Sequence, residues 1–502
     1  MIQPGDRVVI VGAGCFGASA ALHFLDDGFK DVVVLDRAET LPAPDAASND
    51  LNKGEFWAAD GHHNASDGDA VNTVVRTSYS DIFYTKLARE AIARWKDTDA
   101  WGGAYHESGV VVLGDAAAPQ DTYANQAYAN DASAGAPAEP LRTPREIHDA
   151  VLEHIPNQDR TGSQPHTKVA LGTFAQNAAG YLSREGGWVE AGRATELALG
   201  QVTQRGARVL PGKDVCAIER CEEPGGREQR TRVVRCRDGS MYEGELVVLA
   251  TGAWTASGFP TLSYVAEKCL ATGQCIATIQ LTQDEANLYR KCPVVLNFST
   301  GFYIFPPNAT NTVKMAIHSA GYTHKQETSN PNPTQPAEPH VDVPRPAKSS
   351  PASSPSPSPI STPRTVSNAA QDGLRIPTAA LTALRTHLHE VYPDLATKPF
   401  SGTRMCWYTD SPDGDWVIGF HPDDPSLLLA TGGSGHAFKF LPVIGHLVVE
   451  AAHGRLDSAL AAKFAVERES VSVDQSRIGR EVAQELLLDQ LCNPEDLLPG
   501  AA

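Results

Sequence analysis

The sequence predicts an α/β fold in which a Rossmann-like domain is interleaved with a mixed-sheet substrate domain. Three observations predict it. A β-branched run at 8–11 leads directly into Gly12-Ala13-Gly14-Cys15-Phe16-Gly17, and a helical stretch follows through Ala18, Ala21, Leu22 and Leu25. Two later aliphatic runs, 246–249 and 427–429, also lead into glycine turns, at Gly252 and at Gly432-Gly433-Ser434-Gly435. Elsewhere strand-like and helical segments alternate, as they do in layered α/β proteins. With 502 residues the chain has room for about three domain-sized units, or two with insertions.

The first element is a continuous β-branched strand, the pattern of a strand buried on both faces. The second is the G-x-G-x-x-G turn between strand and helix. There Gly12 permits the tight turn, Gly14 lets the backbone approach a pyrophosphate, and Gly17 lets helix and strand pack closely. The helix N-terminus offers its amides to phosphate. A second strand, 32–35, ends at Asp36, nineteen residues beyond Gly17. A carboxylate there can accept hydrogen bonds from a ribose. Together these elements predict a bound dinucleotide, without choosing between FAD and NAD. The later glycine turns favour FAD, a long cofactor that several turns can line. A nicotinamide-dependent dehydrogenase is the competing reading, but it has no need of a glycine turn near residue 432.

Hydrophobic residues at 41% and charged residues at 20% exclude global disorder. Lys plus Arg is 42 against 60 Asp plus Glu, a net charge of −18, which repels a nucleic-acid partner. No apolar run approaches the roughly 20 residues that span a bilayer. The start of the chain lacks the basic and apolar regions of a signal peptide, so the Asn-x-Ser/Thr matches at Asn64, Asn297 and Asn308 carry no weight. Its last residues, Leu-Pro-Gly-Ala-Ala, are not a peroxisomal address. Nine cysteines without a CxxC pair suggest a reducing compartment. The expectation is a cytoplasmic protein without a metal site. Two segments stand apart. Residues 325–370 are rich in Ser and Pro and read as a solvated, flexible insertion. Residues 54–73 have neither helical nor strand periodicity.

Four blocks carry a resemblance to a known family: Ser48-Asn49-Asp50-Leu51-Asn52-Lys53, Val75-Arg76-Thr77-Ser78-Tyr79, Arg404 through Asp413, and Gly432 through Lys439. On these residues the chain resembles the covalent-flavin amine oxidases. That family includes monomeric sarcosine oxidase, pipecolate oxidase, fungal saccharopine oxidase and the fructosyl amino acid oxidases (amadoriases), and the fungal members look most similar. The resemblance covers the chain except the two odd segments and the last stretch. It implies a D-amino-acid-oxidase-like flavoprotein fold. The FAD-binding domain would be built from 1–53, 165–265 and 400–470, and the substrate domain from 74–164 and 266–400.

The resemblance also implies roles. Cys406 would form a thioether to the 8α carbon of FAD. Arg76 and Lys439 would hold a substrate carboxylate, the first as a bidentate fork and the second as a point charge. Lys314 interrupts a half-apolar strand, where a lysine is costly unless paired or hydrated. It would sit by the flavin and stabilise the anion formed as O2 is reduced. His318, four residues on, shares its strand face. Ser48, Lys53, Gly432, Gly433, Gly435 and His436 would line the cofactor together with Gly12, Gly14, Gly17 and Asp36. The implied activity is oxidation of the C–N bond of a secondary or N-substituted amino acid, giving an imine and hydrogen peroxide. The partners would be a small amine or amino acid carrying a carboxylate, and O2, acting on a monomer. The alternatives are a tailoring oxidase of a secondary-metabolite amine, or a homologue inactivated by residues 54–73. Relatives run almost directly from Asn-Lys to the arginine. Closing the longer loop costs only about 1–2 kcal/mol, but placing Arg76 is harder. A retained intron sequence would leave such a segment, and comparing transcript with genome decides that point.

Overall fold

The computed structural model describes residues 2–49, 72–119, 122–155, 168–222, 228–262, 264–327, 359–469, 476–477 and 482–500. Its first sheet has six strands, in the order Val417–His421, Asp424–Thr431, Leu246–Leu249, Arg7–Val11, Asp31–Leu35 and Arg208–Leu210. All are parallel except Val417–His421. The four aliphatic strands are buried on both faces, and the period-two geometry of a strand divides them cleanly. Val8, Ile10, Val32, Val34, Leu246, Val248 and Leu428 enter one core. Val9, Val11, Val33, Leu35, Val247, Leu249 and Leu427 enter another. The first core is roofed by the helix Cys15–Asp26, which packs on Ile444–Ala452 and Ala191–Gln204. The second lies under the meander Val215–Glu222, Glu228–Cys236 and Met241–Gly244.

A second, ten-stranded sheet carries the rest. Its long strand Leu270–Gln280 is flanked by Thr312–Ile317 and by Gly402–Asp410. Alternation again sorts the side chains. Val313, Met315, Met405 and Trp407 face the helix Thr378–Val391 through Leu381, Leu384 and Leu388. On the opposite face lie Ile276, Ala316 and Cys406, and further along Val110, Val112, Val294 and Leu296. That second face looks toward the first sheet and positions the site. No described helix is long and apolar enough to cross a membrane.

Two segment readings are corrected. Residues 72 and 73, counted with the aperiodic 54–73 segment, begin the strand Asn72–Val75, with Asn72 paired to Glu190 and Thr73 to Val189. Residues 54–71 lie outside the described residues. The Ser/Pro-rich 325–370 segment is not all solvated loop. Lys325–Gln326 pairs with Ile360–Ser361, and Val366–Ala369 is helical. Ser361 is buried and donates to the Ala271 carbonyl at 2.7 Å. Thr365 is buried and donates to Asp45 at 2.8 Å. Local composition could not reveal these long-range partners. Residues 328–358 lie outside the described residues.

Candidate functional site

A cavity of about 1160 Å³ lies between the two sheets. Its first end is the glycine turn. Gly12 has φ +106°, and a Cβ there would stand 2.3 Å from the Ala250 carbonyl oxygen. Gly12 and Gly14 line the cavity just before the helix beginning at Cys15, so its N-terminal amides face an anion site. Gly17 does not line the cavity. A Cβ there would meet the Gly12 carbonyl oxygen at 1.8 Å, so its part is close packing. The Asp36 carboxylate accepts from the amides of Ala13 at 2.8 Å and Ala38 at 2.9 Å. Burial pushes its pKa up, and those amides oppose the shift. Asp36 also lines the cavity, as do Ser48 and Arg37. The Arg37 guanidinium lies 4.0 Å from the centre of the Trp254 ring.

The other end is built by Gly402–Asp410 and the turn after Asp424–Thr431. Cys406 is 2% exposed and lines the cavity, because alternation turns it away from Met405 and Trp407. Gly432 and Gly435 have φ +68° and +72°. A Cβ on Gly435 would press to 2.4 Å from the Tyr408 ring, so only glycine leaves that ring its place. Gly433, Gly435 and His436 line the cavity, whereas Gly432 shapes the turn behind it. Gly414 offers only a carbonyl to His436 Nε2, at 2.8 Å, so that nitrogen is the donor. Nδ1 then accepts from the Tyr79 hydroxyl at 3.2 Å.

Four of the sequence-predicted residues meet in this part of the cavity. Arg76 is 6% exposed. It donates to the Ser78 carbonyl, and its guanidinium lies 4.6 Å from the Tyr79 ring centre and 5.1 Å from that of Phe298. Lys439 is 4% exposed and donates to Tyr79 Oη and to the His436 carbonyl, both at 2.8 Å. Burial first, and Arg76 second, hold its pKa well below the usual lysine range. The electrostatic neighbours of this pair include tyrosines, Cys15, His318, the Asp131 carboxylate beside Arg76, and each other. Lys314 is buried and donates to the Asn72 carbonyl at 3.0 Å, which offsets the cost of a lysine inside a sheet. His318 falls one residue beyond the end of its strand, Thr312–Ile317, rather than within it. Its ring still reaches the cavity and meets Ser476 Oγ at 3.0 Å. Burial, followed by Arg477, Arg76 and Lys439, holds it neutral. Lys53 lies outside the described residues.

Sequence reasoning missed the aromatic wall. Leu296, Phe298, Tyr303 and Phe305 line the cavity, yet in sequence they look like ordinary core residues. The alternation in Gly301-Phe302-Tyr303-Ile304-Phe305 was the available signal, since Phe302 and Ile304 enter the opposite core. Thr362, Ser367 and Asn368, inside the supposed flexible insertion, line the cavity as well.

Comparison with known proteins agrees with this geometry. The model of the family described as FAD dependent oxidoreductase matches residues 7–451. The chain is 25% identical over 456 residues to the L-saccharopine oxidase of Schizosaccharomyces pombe, covering 89% of this chain and 90% of that protein. It is 28% identical over 475 residues to an amino acid oxidase of Aspergillus flavus, covering 88% and 92%. The fold matches Amadoriase I from Aspergillus fumigatus with a TM-score of 0.71 at 23% identity, over 98% of each chain. FAD fits the cavity on the chain's own features. The glycine cradle has no room for a Cβ, the helix N-terminus and Asp36 stand at one end, and the volume exceeds the roughly 300–1,000 Å³ of ordinary small-ligand sites. With family match, fold and cradle in agreement, the chain belongs to the FAD-dependent oxidoreductases.

Proposed function

We propose that the chain oxidises the C–N bond of a secondary or N-substituted amino acid bearing a free carboxylate, giving an imine and hydrogen peroxide. Amine oxidation with O2 as acceptor is the activity of the oxidases it is related to. The observation that carries the reading is the pair Arg76 and Lys439. Both are buried, both flank the Tyr79 ring, and both open onto the cavity that holds the glycine cradle.

FAD, when bound, supplies the two-electron acceptor and the centre at which O2 is reduced. The remaining work falls to side chains. Arg76 presents a planar fork to the carboxylate and Lys439 a compact charge. The amine must lose its proton before the adjacent carbon gives up hydride. A buried site rich in cations lowers an ammonium pKa through desolvation and like charge, so Arg76, Lys439 and Lys314 favour the reactive neutral amine. His318, held neutral, adds no further charge. Lys314 keeps a cationic nitrogen where O2 acquires negative charge.

Cys406 is proposed as the thioether attachment to FAD, supported by its burial and its place on the cavity face. Acid-denatured protein should then keep its yellow colour on the polypeptide, and Cys406→Ala should release it. A yellow supernatant from the unaltered protein would remove the assignment. The three-piece FAD domain and two-piece substrate domain belong to the same reading, supported by a six-stranded sheet drawn from 7–35, 208–249 and 417–431. A monomeric working unit belongs to the same reading.

The deciding experiment is peroxide release over a panel of secondary and N-alkyl amino acids, each beside the amine lacking its carboxylate. Arg76→Ala and Lys439→Ala should each cost about 2–4 kcal/mol in binding the carboxylate compounds, or roughly 30- to 1,000-fold in KM. Equal losses on both members of a pair would make the two cations structural.

A further inference from the structure

We propose that the substrate's larger substituent occupies an apolar pocket walled by Leu296, Phe298, Tyr303 and Phe305. The substrate is then an N-substituted amino acid bearing an aromatic or branched apolar group. This inference rests on the carboxylate clamp proposed above.

The pocket follows from the sheet. Leu296 and Tyr303 are paired across adjacent strands, so their side chains emerge side by side on the cavity face. Phe305 continues that wall, its ring 5.7 Å from Tyr303 in an edge-to-face arrangement. Phe298 closes the wall next to the clamp, 5.1 Å from the Arg76 guanidinium. A carboxylate anchored at Arg76 therefore brings the rest of its amino acid against these rings.

The polar groups nearby argue the same way by what they are already engaged in. Lys314 donates to Asn72 and His318 pairs with Ser476. A polyhydroxylated substituent would leave several hydroxyls without partners in this wall, and a buried polar group without a partner is costly. A second ammonium is also disfavoured. The described carboxylates that line the cavity, Asp36, Glu39, Asp45, Asp214 and Glu327, all lie outside this wall, and three of them have other partners: Asp36 takes the amides of Ala13 and Ala38, Asp45 takes Thr365, and Asp214 takes Arg237. An aromatic or branched apolar group, by contrast, gains from leaving water and from ring-to-ring contact.

The test titrates the holoenzyme with four unreactive carboxylates and reads the perturbation of the flavin absorbance band. Phenylacetate should bind at least 10-fold more tightly than acetate. Gluconate, a polyol acid, and glutarate, a diacid, should bind no more tightly than acetate. Phe298→Ala and Tyr303→Ala should each shrink the phenylacetate-to-acetate ratio at least threefold, while Tyr303→Phe should preserve it. Using the ratio cancels any disturbance of Arg76 itself. A ratio near one in the unaltered protein, tighter binding of gluconate or glutarate, or a ratio indifferent to the alanine variants would overturn the pocket and leave the clamp standing. Silence from all four ligands would remove the clamp, and the pocket with it.

Discussion

Lys439 is buried, and Arg76 stands against the same tyrosine ring as its ammonium. Both conditions lower its pKa, and a carboxylate bound between the two cations relieves both. Its pKa therefore rises on binding. Acetate binding should take up a proton at pH values below the usual lysine range, seen as a dependence of the calorimetric heat on the ionisation enthalpy of the buffer. A heat independent of buffer would mean that Lys439 is charged throughout. Lys314 allows a separate test. Lys314→Met keeps the length and apolar stem and deletes the charge. Anaerobic reduction of the flavin by substrate should stay near its original rate, while reoxidation by O2 slows about 10²- to 10³-fold, or some 3–4 kcal/mol. Stopped-flow absorbance separates the two, and a collapse of the reductive half alone would make Lys314 a substrate-binding residue. Lys314 was legible in sequence because a charge inside an apolar pattern needs a reason, whereas Arg76 and Lys439 were legible only through the family resemblance of their blocks. Tyr79 and Phe298 were not, because an aromatic side chain beside a cation reads like any core residue until the cation is placed.

The glycine turn and the helix after it behave as one element, and its two kinds of glycine can be told apart. Gly17→Ala should gain a little from helix propensity, about 1 kcal/mol, and lose more. The new Cβ would lie 1.8 Å from the Gly12 carbonyl oxygen, and backbone must move to relieve it. A net destabilisation of about 1–3 kcal/mol and a lower flavin content per polypeptide in the purified protein are expected. Gly200 is the control. It lies inside the helix Ala191–Gln204 and a Cβ there meets nothing within 4 Å. Gly200→Ala should raise stability by about 0.5–1 kcal/mol. Thermal melts of the two variants should move in opposite directions; parallel shifts would refute the close-packing account of Gly17. The same element scale explains why Cys406 faces the cavity. Strand alternation fixes its side relative to Trp407, and that much follows from sequence once the strand is known.

At the scale of the whole molecule, the chain after the helix Ser458–Phe464 ties the substrate-side core together. Gln484–Glu485 adds to the ten-stranded sheet beside Tyr322–Thr323. Leu486, Leu491, Cys492 and Leu497 are buried among the residues of that core. Upstream of them, Arg477 makes a two-pronged pair with Asp410, with one contact at 2.7 Å, and the neighbouring Ser476 meets His318. Both members of the pair are about nine-tenths buried. Arg477→Met should cost about 3–5 kcal/mol, because it leaves Asp410 buried without its cation. Denaturant melts should register that loss, while Asp410→Asn with Arg477→Met should recover part of it. A single-variant loss below 1 kcal/mol would mean that the pair is open to water.

The sequence by itself determined the parts that are local. The strand–glycine–helix start, the aliphatic strands at 246–249 and 427–431, and Arg76, Lys314, Cys406 and Lys439 as candidates all follow from short-range pattern, from the cost of burying a charge, and from resemblance over short blocks. Only the tertiary structure decided which of them meet. Arg76 and Lys439 lie 363 positions apart in the chain, and Tyr79 links them only because the strand Asn72–Val75 and the turn after Thr431 converge. The cavity-lining part of the Ser/Pro-rich segment and the reach of Ser476 to His318 were likewise invisible. Composition reports whether a stretch can bury itself, whereas these residues are held by partners that distant parts of the chain supply.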